Sequence, residues 1–286
     1  MKYLILLSFP LLLLIACQKR DTAAPATESF AAAKTMKDVS YGADAQQKMD
    51  IYLPAGRSTT TTKAMVLLHG GGWTGGDKEE FNLYIDTFKK RLPGYALFNI
   101  NYRVYNGNNR FPTQEQDVHA AVSSIISKAA EYGINKDQLV LTGASAGAHL
   151  ALLEAYKYKS SNIKAVVDYF GPTDLLDIYE NPWHPLLPMA LQMLTGSTPE
   201  ANPDIYIQSS PISFVDAQSP PTLIMHGTAD TVVLISQSQK LDQALKAAGV
   251  PHEFASFQGE THGWWQSANM SRSFDRIVAF LNEYLP

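Results

Sequence analysis

An apolar run at residues 139–142 passes straight into Gly143-Ala144-Ser145-Ala146-Gly147, and helical spacing resumes at once over residues 146–157. A strand that becomes a helix within a few small residues belongs to a parallel sheet with helical crossovers. It also leaves one polar side chain, Ser145, raised on a crowded turn. Apolar runs at 64–68, 96–100, 165–169, 222–226 and 253–257 read as further strands. Helical spacing at 81–91, 114–131, 236–248 and 272–284 alternates with them, and residues 39–41 and 49–53 look like an antiparallel pair. The expected fold class is α/β, with a mostly parallel central sheet and helices on both faces. At 286 residues and 45% hydrophobic, the chain has enough apolar material for one large core. A net charge of −4 supplies no basic footprint for nucleic acid.

The alternation fails between residues 172 and 219. Pro182, Pro185, Pro188, Pro199, Pro203 and Pro211 crowd this stretch, which falls between two sheet strands. It reads either as a small cap over the mouth of the site or as a long surface loop with one short helix at 189–194. The folded domain is expected over residues 38–286.

Ahead of it, Lys2 is followed by a thirteen-residue apolar run, residues 4–16, broken only by Ser8 and Pro10. That is the length of a signal-peptide core and short for a membrane span. The run ends Leu14-Ile15-Ala16-Cys17, with Cys17 the sole cysteine, and resembles a bacterial lipobox. Residues 1–16 are expected to be a lipoprotein signal peptide, Cys17 the acylated residue, and residues 17–37 a flexible tether. A plain secretory signal is the alternative. The expected address is the bacterial cell envelope, held to the membrane by the lipid.

Three segments then follow in order: the Ser145 turn, His226-Gly227-Thr228-Ala229-Asp230 and Thr261-His262-Gly263. A serine hydroxyl is a weak nucleophile unless a base takes its proton. His262, on a loop after the last strand, is the candidate base. Asp230, on the loop after the preceding strand, is the candidate acid that orients it, with Asp174 and Glu260 as rivals. His69-Gly70-Gly71-Gly72-Trp73 supplies a glycine-rich backbone whose N–H groups can face a developing oxyanion. Gly71, Gly72 and Ala146 are the candidate donors, with Trp73 as a substitute for one glycine. The same stretch formally matches G-x-G-x-x-G, but the following strand ends Asn99-Ile100-Asn101-Tyr102 with no carboxylate for a ribose. No H-E-x-x-H, Walker-type loop or clustered Cys/His set is present, so neither metal nor cofactor is expected. Trp73 and Trp264 are candidate walls of the substrate site. Core and rim packing is the other reading of Trp264-Trp265.

Taken together, HGGGWTGGDK, NYR, GASAGAHLA, HGTADTVV and THGWW resemble the α/β-hydrolase superfamily over residues 38–286. They look closest to bacterial secreted carboxylesterases related to feruloyl and acetylxylan esterases. Ala144 departs from the hormone-sensitive-lipase-like branch, where many members carry Asp. The resemblance implies serine ester hydrolysis by Ser145, His262 and Asp230 on a small-molecule or polysaccharide-linked ester. Kynurenine-formamidase-like and dipeptidyl-peptidase-like hydrolases share similar motifs. A non-catalytic glycan-binding lipoprotein is the alternative from another class. Short acyl groups, acetyl foremost, are expected because Trp73, Trp264 and Trp265 crowd the acyl side.

Overall fold

The computed structural model describes residues 30–264 and 267–286, so the signal peptide, Cys17 and Trp265 lie outside the described residues. Eight strands form one sheet: β1 (Lys34–Ser40), β2 (Lys48–Leu53), β3 (Lys63–Leu68), β4 (Tyr95–Ile100), β5 (Leu139–Ala144), β6 (Ile163–Tyr169), β7 (Thr222–Gly227) and β8 (His252–Phe257). Their spatial order is β1-β2-β4-β3-β5-β6-β7-β8. The β1/β2 and β2/β4 pairs are antiparallel, and every other pair is parallel.

Strand periodicity sorts the core onto two faces. On one face Val66, Leu68, Phe98, Ile100, Leu141 and Ile224 are buried against three helices. These are α2 (Thr113–Ser127), α4 (Ala146–Lys157) and α8 (Ser236–Ala247). On the other, Met65, Leu67, Leu97, Val140, Leu223 and Met225 meet α1 (Asn82–Arg91) and α9 (Asn269–Tyr284). Burial on both faces explains why these strands read as continuous apolar runs. The helix expected over residues 114–131 is divided, with α3 (Ala129–Tyr132) as a separate turn of helix after α2.

Strand β1 starts at Lys34, so the last four residues assigned to the tether belong to the sheet. Phe30 is already docked: its carbonyl accepts from the Gly56 N–H at 2.9 Å, and the Arg57 guanidinium lies over its ring at 4.8 Å. An edge strand with both signs of charge and a register shift between Met36 and Val39 hides its period of two.

Residues 172–219 form three short α-helices, α5 (Leu175–Glu180), α6 (Leu187–Thr195) and α7 (Pro203–Gln208), followed by a 3₁₀ turn at Pro211–Phe214. They enclose a small core of Leu175, Ile178, Leu191 and Tyr206, against which Trp73 also packs. This cap covers the carboxyl edge of the sheet.

Two glycines explain how the Ser145 turn is built. A Cβ on Gly143 would sit 2.4 Å from the Gly147 carbonyl carbon, and one on Gly147 would sit 2.1 Å from the Leu68 oxygen. Both obstacles are backbone, so neither can swing aside. Gly147→Ala is expected to cost about 3 kcal/mol or more, at the upper end of overpacking effects. Urea unfolding of the variant checks this; a midpoint equal to that of the parent protein would contradict it.

Candidate active site

Chain order places the site before any side chain is considered. β3 connects to β4 on one side, and β5 then returns to the other flank of β3. Open parallel sheets have their binding crevice at such a reversal, outside the carboxyl ends of the strands. The two loops that meet there are the glycine loop after β3 and the Ser145 turn after β5, paired through Leu68 and Gly143.

Ser145 stands at φ 53°, ψ −120°, in the left-handed half of backbone space that a side-chain-bearing residue enters only under constraint. Its N–H donates to the Tyr169 carbonyl at 2.8 Å, and its carbonyl accepts from the His149 N–H at 3.0 Å. Those two bonds hold the serine between β6 and the first turn of α4. As the first residue of α4, Ala146 has an amide with no carbonyl behind it in the helix.

The glycine loop is held from below. The Tyr102 hydroxyl donates to the His69 carbonyl at 2.9 Å, and its ring stacks on His69 at 4.3 Å. Gly71, Gly72 and Trp73 all have positive φ, and the Gly71 carbonyl accepts from the Thr74 and Gly75 amides. Gly72 and Trp73 line the cavity beside Ser145. His149 fixes Trp73 from inside the protein. Its Nε2 donates to the Ser209 carbonyl at 2.7 Å, leaving Nδ1 to accept from the Trp73 indole at 3.3 Å. Burial pushes the His149 imidazole down to about 3, keeping it neutral and that tautomer intact. The glycine loop, the nucleophile helix and the cap thus meet on one imidazole.

Backbone bonds between two loops bring the acid to the base. The Thr228 N–H donates to Phe257 at 3.0 Å, and the Ala229 N–H donates to Glu260 at 2.9 Å. This stitching sets His262 Nδ1 at 2.7 Å from Asp230 Oδ2. Asp230 Oδ1 accepts from the Val232 and Val233 amides at 2.8 and 2.9 Å. His226 Nε2 donates to the Val233 carbonyl and also lies 3.3 Å from Asp230 Oδ2. Burial alone would raise the Asp230 carboxyl, but the hydrogen bonds from His226 and His262 outweigh it and hold the group well below the usual carboxylate range. An ionised carboxylate only accepts, so His262 carries its proton on Nδ1 and its neutral ring presents a lone pair at Nε2. The Phe170 ring, next in chain to the carbonyl that anchors Ser145, backs His262 at 4.6 Å between centroids.

The rival acids are occupied elsewhere. Asp174 caps α5 through the Asp177 amide at 3.0 Å, and Glu260 accepts from Ser267 and from Asn269 at the start of α9.

Trp264 is corrected by its surroundings. It is 4% exposed and packs on Phe257, Phe170 and Tyr169, so it is part of the core beneath the His262 loop and lines no substrate surface. The cap supplies Trp183 to the cavity instead, along with Ile178, Leu187 and Leu191. Nothing in the sequence around Trp183 marks it, because its role follows from how the cap folds back. Second contacts to the acid, from His226 and the Val232 and Val233 amides, were equally unmarked.

Asp168 is a buried carboxyl outside the triad. One oxygen accepts from the Gly171 N–H at 2.7 Å and the other has no partner among the described residues. Burial raises it from 3.8 to about 7, against a smaller lowering from the Gly171 bond. A raised acid binds its proton more tightly folded than unfolded. Its contribution to stability is therefore complete below the unfolded value and declines as pH rises toward 7. Asp168→Asn, which mimics the protonated form, is expected to flatten this decline. Urea midpoints of both proteins at pH 5 and pH 8 test it, and parallel pH dependence would contradict the assignment.

The chain is similar to solved structures and to curated relatives. A truncated carbohydrate esterase from gut microbiota is 28% identical, with a TM-score of 0.74 over 89% of this chain and 97% of its own. The bifunctional GH43-CE protein of Bacteroides eggerthii is also 28% identical, with a TM-score of 0.77 over 90% of this chain and 38% of its own. Esterase LipQ of Mycobacterium tuberculosis is 29% identical over 228 residues, 74% of this chain and 53% of LipQ. The chain thus spans little more than half of LipQ's length. The expected α/β-hydrolase fold is borne out by these likenesses. The BD-FAE family model matches residues 49–245, from β2 into α8 and so across the glycine loop, the Ser145 turn and Asp230, and this chain belongs to the BD-FAE family.

Proposed function

We propose that the chain is a serine carboxylesterase working through Ser145, His262 and Asp230. The observation that carries this reading is the 2.7 Å contact from His262 Nδ1 to an ionised Asp230, at the same sheet edge as the constrained Ser145 turn. Ser145 Oγ attacks the ester carbonyl while His262 Nε2 takes its proton. The amides of Gly71, Gly72 and Ala146 receive the oxyanion. His262 returns the proton to the leaving alcohol, and water releases the acyl group by the reverse route. Asp230 holds the ring in the tautomer that both steps need.

The substrate class that the motifs and the carbohydrate-esterase neighbours support is a short acyl group such as acetyl, or a feruloyl group, on plant polysaccharide. We also propose that Cys17 is acylated and holds the enzyme at the bacterial envelope. The described chain enters the domain at Phe30, which packs beside Arg57 and Gly133 at the amino edge of the parallel strands. The site occupies the carboxyl edge. An enzyme anchored through its N-terminus would open away from the membrane, toward soluble or polymeric esters.

Turnover of p-nitrophenyl butyrate, acetylated xylan and N-formylkynurenine by the purified protein tests the function. Ester hydrolysis is expected; activity on the formamide alone would transfer the chain to a different reaction. Mass spectrometry of the mature N-terminus tests the anchor, and a free Cys17 thiol would remove it.

A further inference from the structure

His149 takes no part in the proton transfers proposed for Ser145, His262 and Asp230. Yet it is fully buried in the first turn of α4 and bonds to two other segments of the site. We propose that His149 is a positioning residue: through the Trp73 indole it holds the glycine loop in the conformation that receives the oxyanion, and the Ser209 carbonyl of the cap fixes the tautomer that lets it do so. The inference rests on the esterase reading and assigns a further residue to the same reaction.

Three features carry it. The first is the softness of the loop. Gly71, Gly72 and Trp73 stand at φ 99°, 58° and 60°, and the two glycines have no side chain by which they could be held. For a tryptophan that backbone is strained and persists only where its surroundings enforce it. At one end of the loop Tyr102 holds the His69 carbonyl. At the other, the Tyr105 N–H donates to the Trp73 carbonyl at 2.7 Å and the indole donates to His149. The glycine amides lie between these two ends, and oxyanion donors stabilise charge most when they are in place before it develops. The second feature is where the grip is attached. The His149 N–H donates to the Ser145 carbonyl at 3.0 Å, so a single turn of helix separates the nucleophile from the imidazole that holds the loop. The third is the hydrogen bonding of the ring. A carbonyl only accepts, so the 2.7 Å contact to Ser209 requires the proton on Nε2. The neutral ring then has its lone pair on Nδ1, facing the indole N–H at 3.3 Å. In the other tautomer both bonds are lost.

The Trp73, Phe111 and His149 rings also meet edge to face, with centroids 5.0, 5.6 and 6.1 Å apart. An apolar side chain at position 149 could pack in the same place. What the imidazole adds is an acceptor for the indole and a donor for the cap, and substitution separates the acceptor from the packing.

Asparagine and leucine have nearly the same shape, but only asparagine carries an oxygen near the position of Nδ1. The test is kcat and KM on p-nitrophenyl acetate, per serine labelled by a fluorophosphonate. The proteins are the parent, His149→Asn, His149→Leu, Trp73→Phe and the two double variants with Trp73→Phe. Acylation and deacylation both pass through an oxyanion, so kcat reports on its support whichever step limits. Removing an oxyanion donor costs about 10²- to 10³-fold in kcat, and loosening its support is expected to cost less, about tenfold. His149→Asn should therefore exceed His149→Leu about tenfold in kcat, with KM within about twofold because the oxyanion forms only on the way to reaction. Combined with Trp73→Phe, which has no N–H to donate, the two should become equal. A structural role alone predicts the reverse order, because a buried amide is less favourable than leucine, or a difference that survives Trp73→Phe. Either result, or equal kcat for the two single variants, would overturn the proposal. Trp73→Phe by itself leaves His149 and its bond to Ser209 in place, and its kcat is expected to fall about tenfold, as for a lost support. A parental kcat there would overturn the proposal even where no His149 variant folds. A parent with no turnover and no labelling would instead refute the esterase reading itself.

Discussion

Ser145→Ala is expected to leave the protein folded and to remove ester hydrolysis by a factor of roughly 10⁶, the scale on which a lost serine nucleophile acts. The fold should survive because the contacts that hold this residue are made by its backbone, to Tyr169 and His149. Its positive φ is set by the packing of Gly143 and Gly147 against neighbouring backbone, and alanine meets the same constraint. The chemistry should not survive, because Ser145 is the hydroxyl raised on the turn at the α4 amino terminus, and the Thr74 hydroxyl that also lines the cavity is turned to the Gly71 carbonyl. Turnover of p-nitrophenyl butyrate, labelling by a fluorophosphonate and the urea midpoint should be measured on one preparation. A variant that is folded, unlabelled and inactive meets the expectation. Near-parental turnover in a folded variant would remove Ser145 from the mechanism.

Much of this arrangement could be read from the sequence because its constraints are local. Gly143 and Gly147 must be glycine for backbone to pass backbone, and the apolar strand and helix on either side can connect in few ways. Asp230 and His262 were legible through chain order, since each follows a strand whose carboxyl end reaches the same edge. Strand β1 was read short because an exposed, bulged edge strand has no clean apolar period. Of the two readings of Trp264, core packing holds, and the substrate-wall reading fails for a different reason. An indole two residues beyond a base is adjacent to it in sequence, but the loop turns it down onto Phe257 and Phe170. The cap was visible only as a failure of alternation. Its short helices α5 and α7, and the approach of Trp183 to Ser145, depend on contacts between segments far apart in the chain. The unpartnered oxygen of Asp168 is likewise a property of packing that no local pattern announces.

Asp230→Asn is expected to lower kcat by about 10³- to 10⁴-fold with little change in KM, the signature of a group that orients the base without binding substrate. Four donors converge on this carboxylate: the Val232 and Val233 amides, His226 Nε2 and His262 Nδ1. An asparagine can accept from some of them but must direct an NH₂ group at others. The exchange that relieves this clash moves the His262 proton from Nδ1 to Nε2, and a protonated Nε2 cannot take the serine proton. The rival carboxylates make the test discriminating. Asp174→Asn should weaken a helix cap, at a cost near 1 kcal/mol of stability or less, and leave kcat within a few-fold. Glu260→Gln should loosen the contacts to Ser267 and Asn269 at the head of α9, again with kcat close to that of the parent. Comparing kcat and the urea midpoint for all three separates orientation of the base from support of its loop. If Glu260→Gln proved crippling while Asp230→Asn stayed within tenfold of the parent, the orienting acid would have to be reassigned. The stitching of the β7 and β8 loops through Thr228 and Ala229 would then be a device for holding Glu260, and the 2.7 Å contact to Asp230 incidental to it.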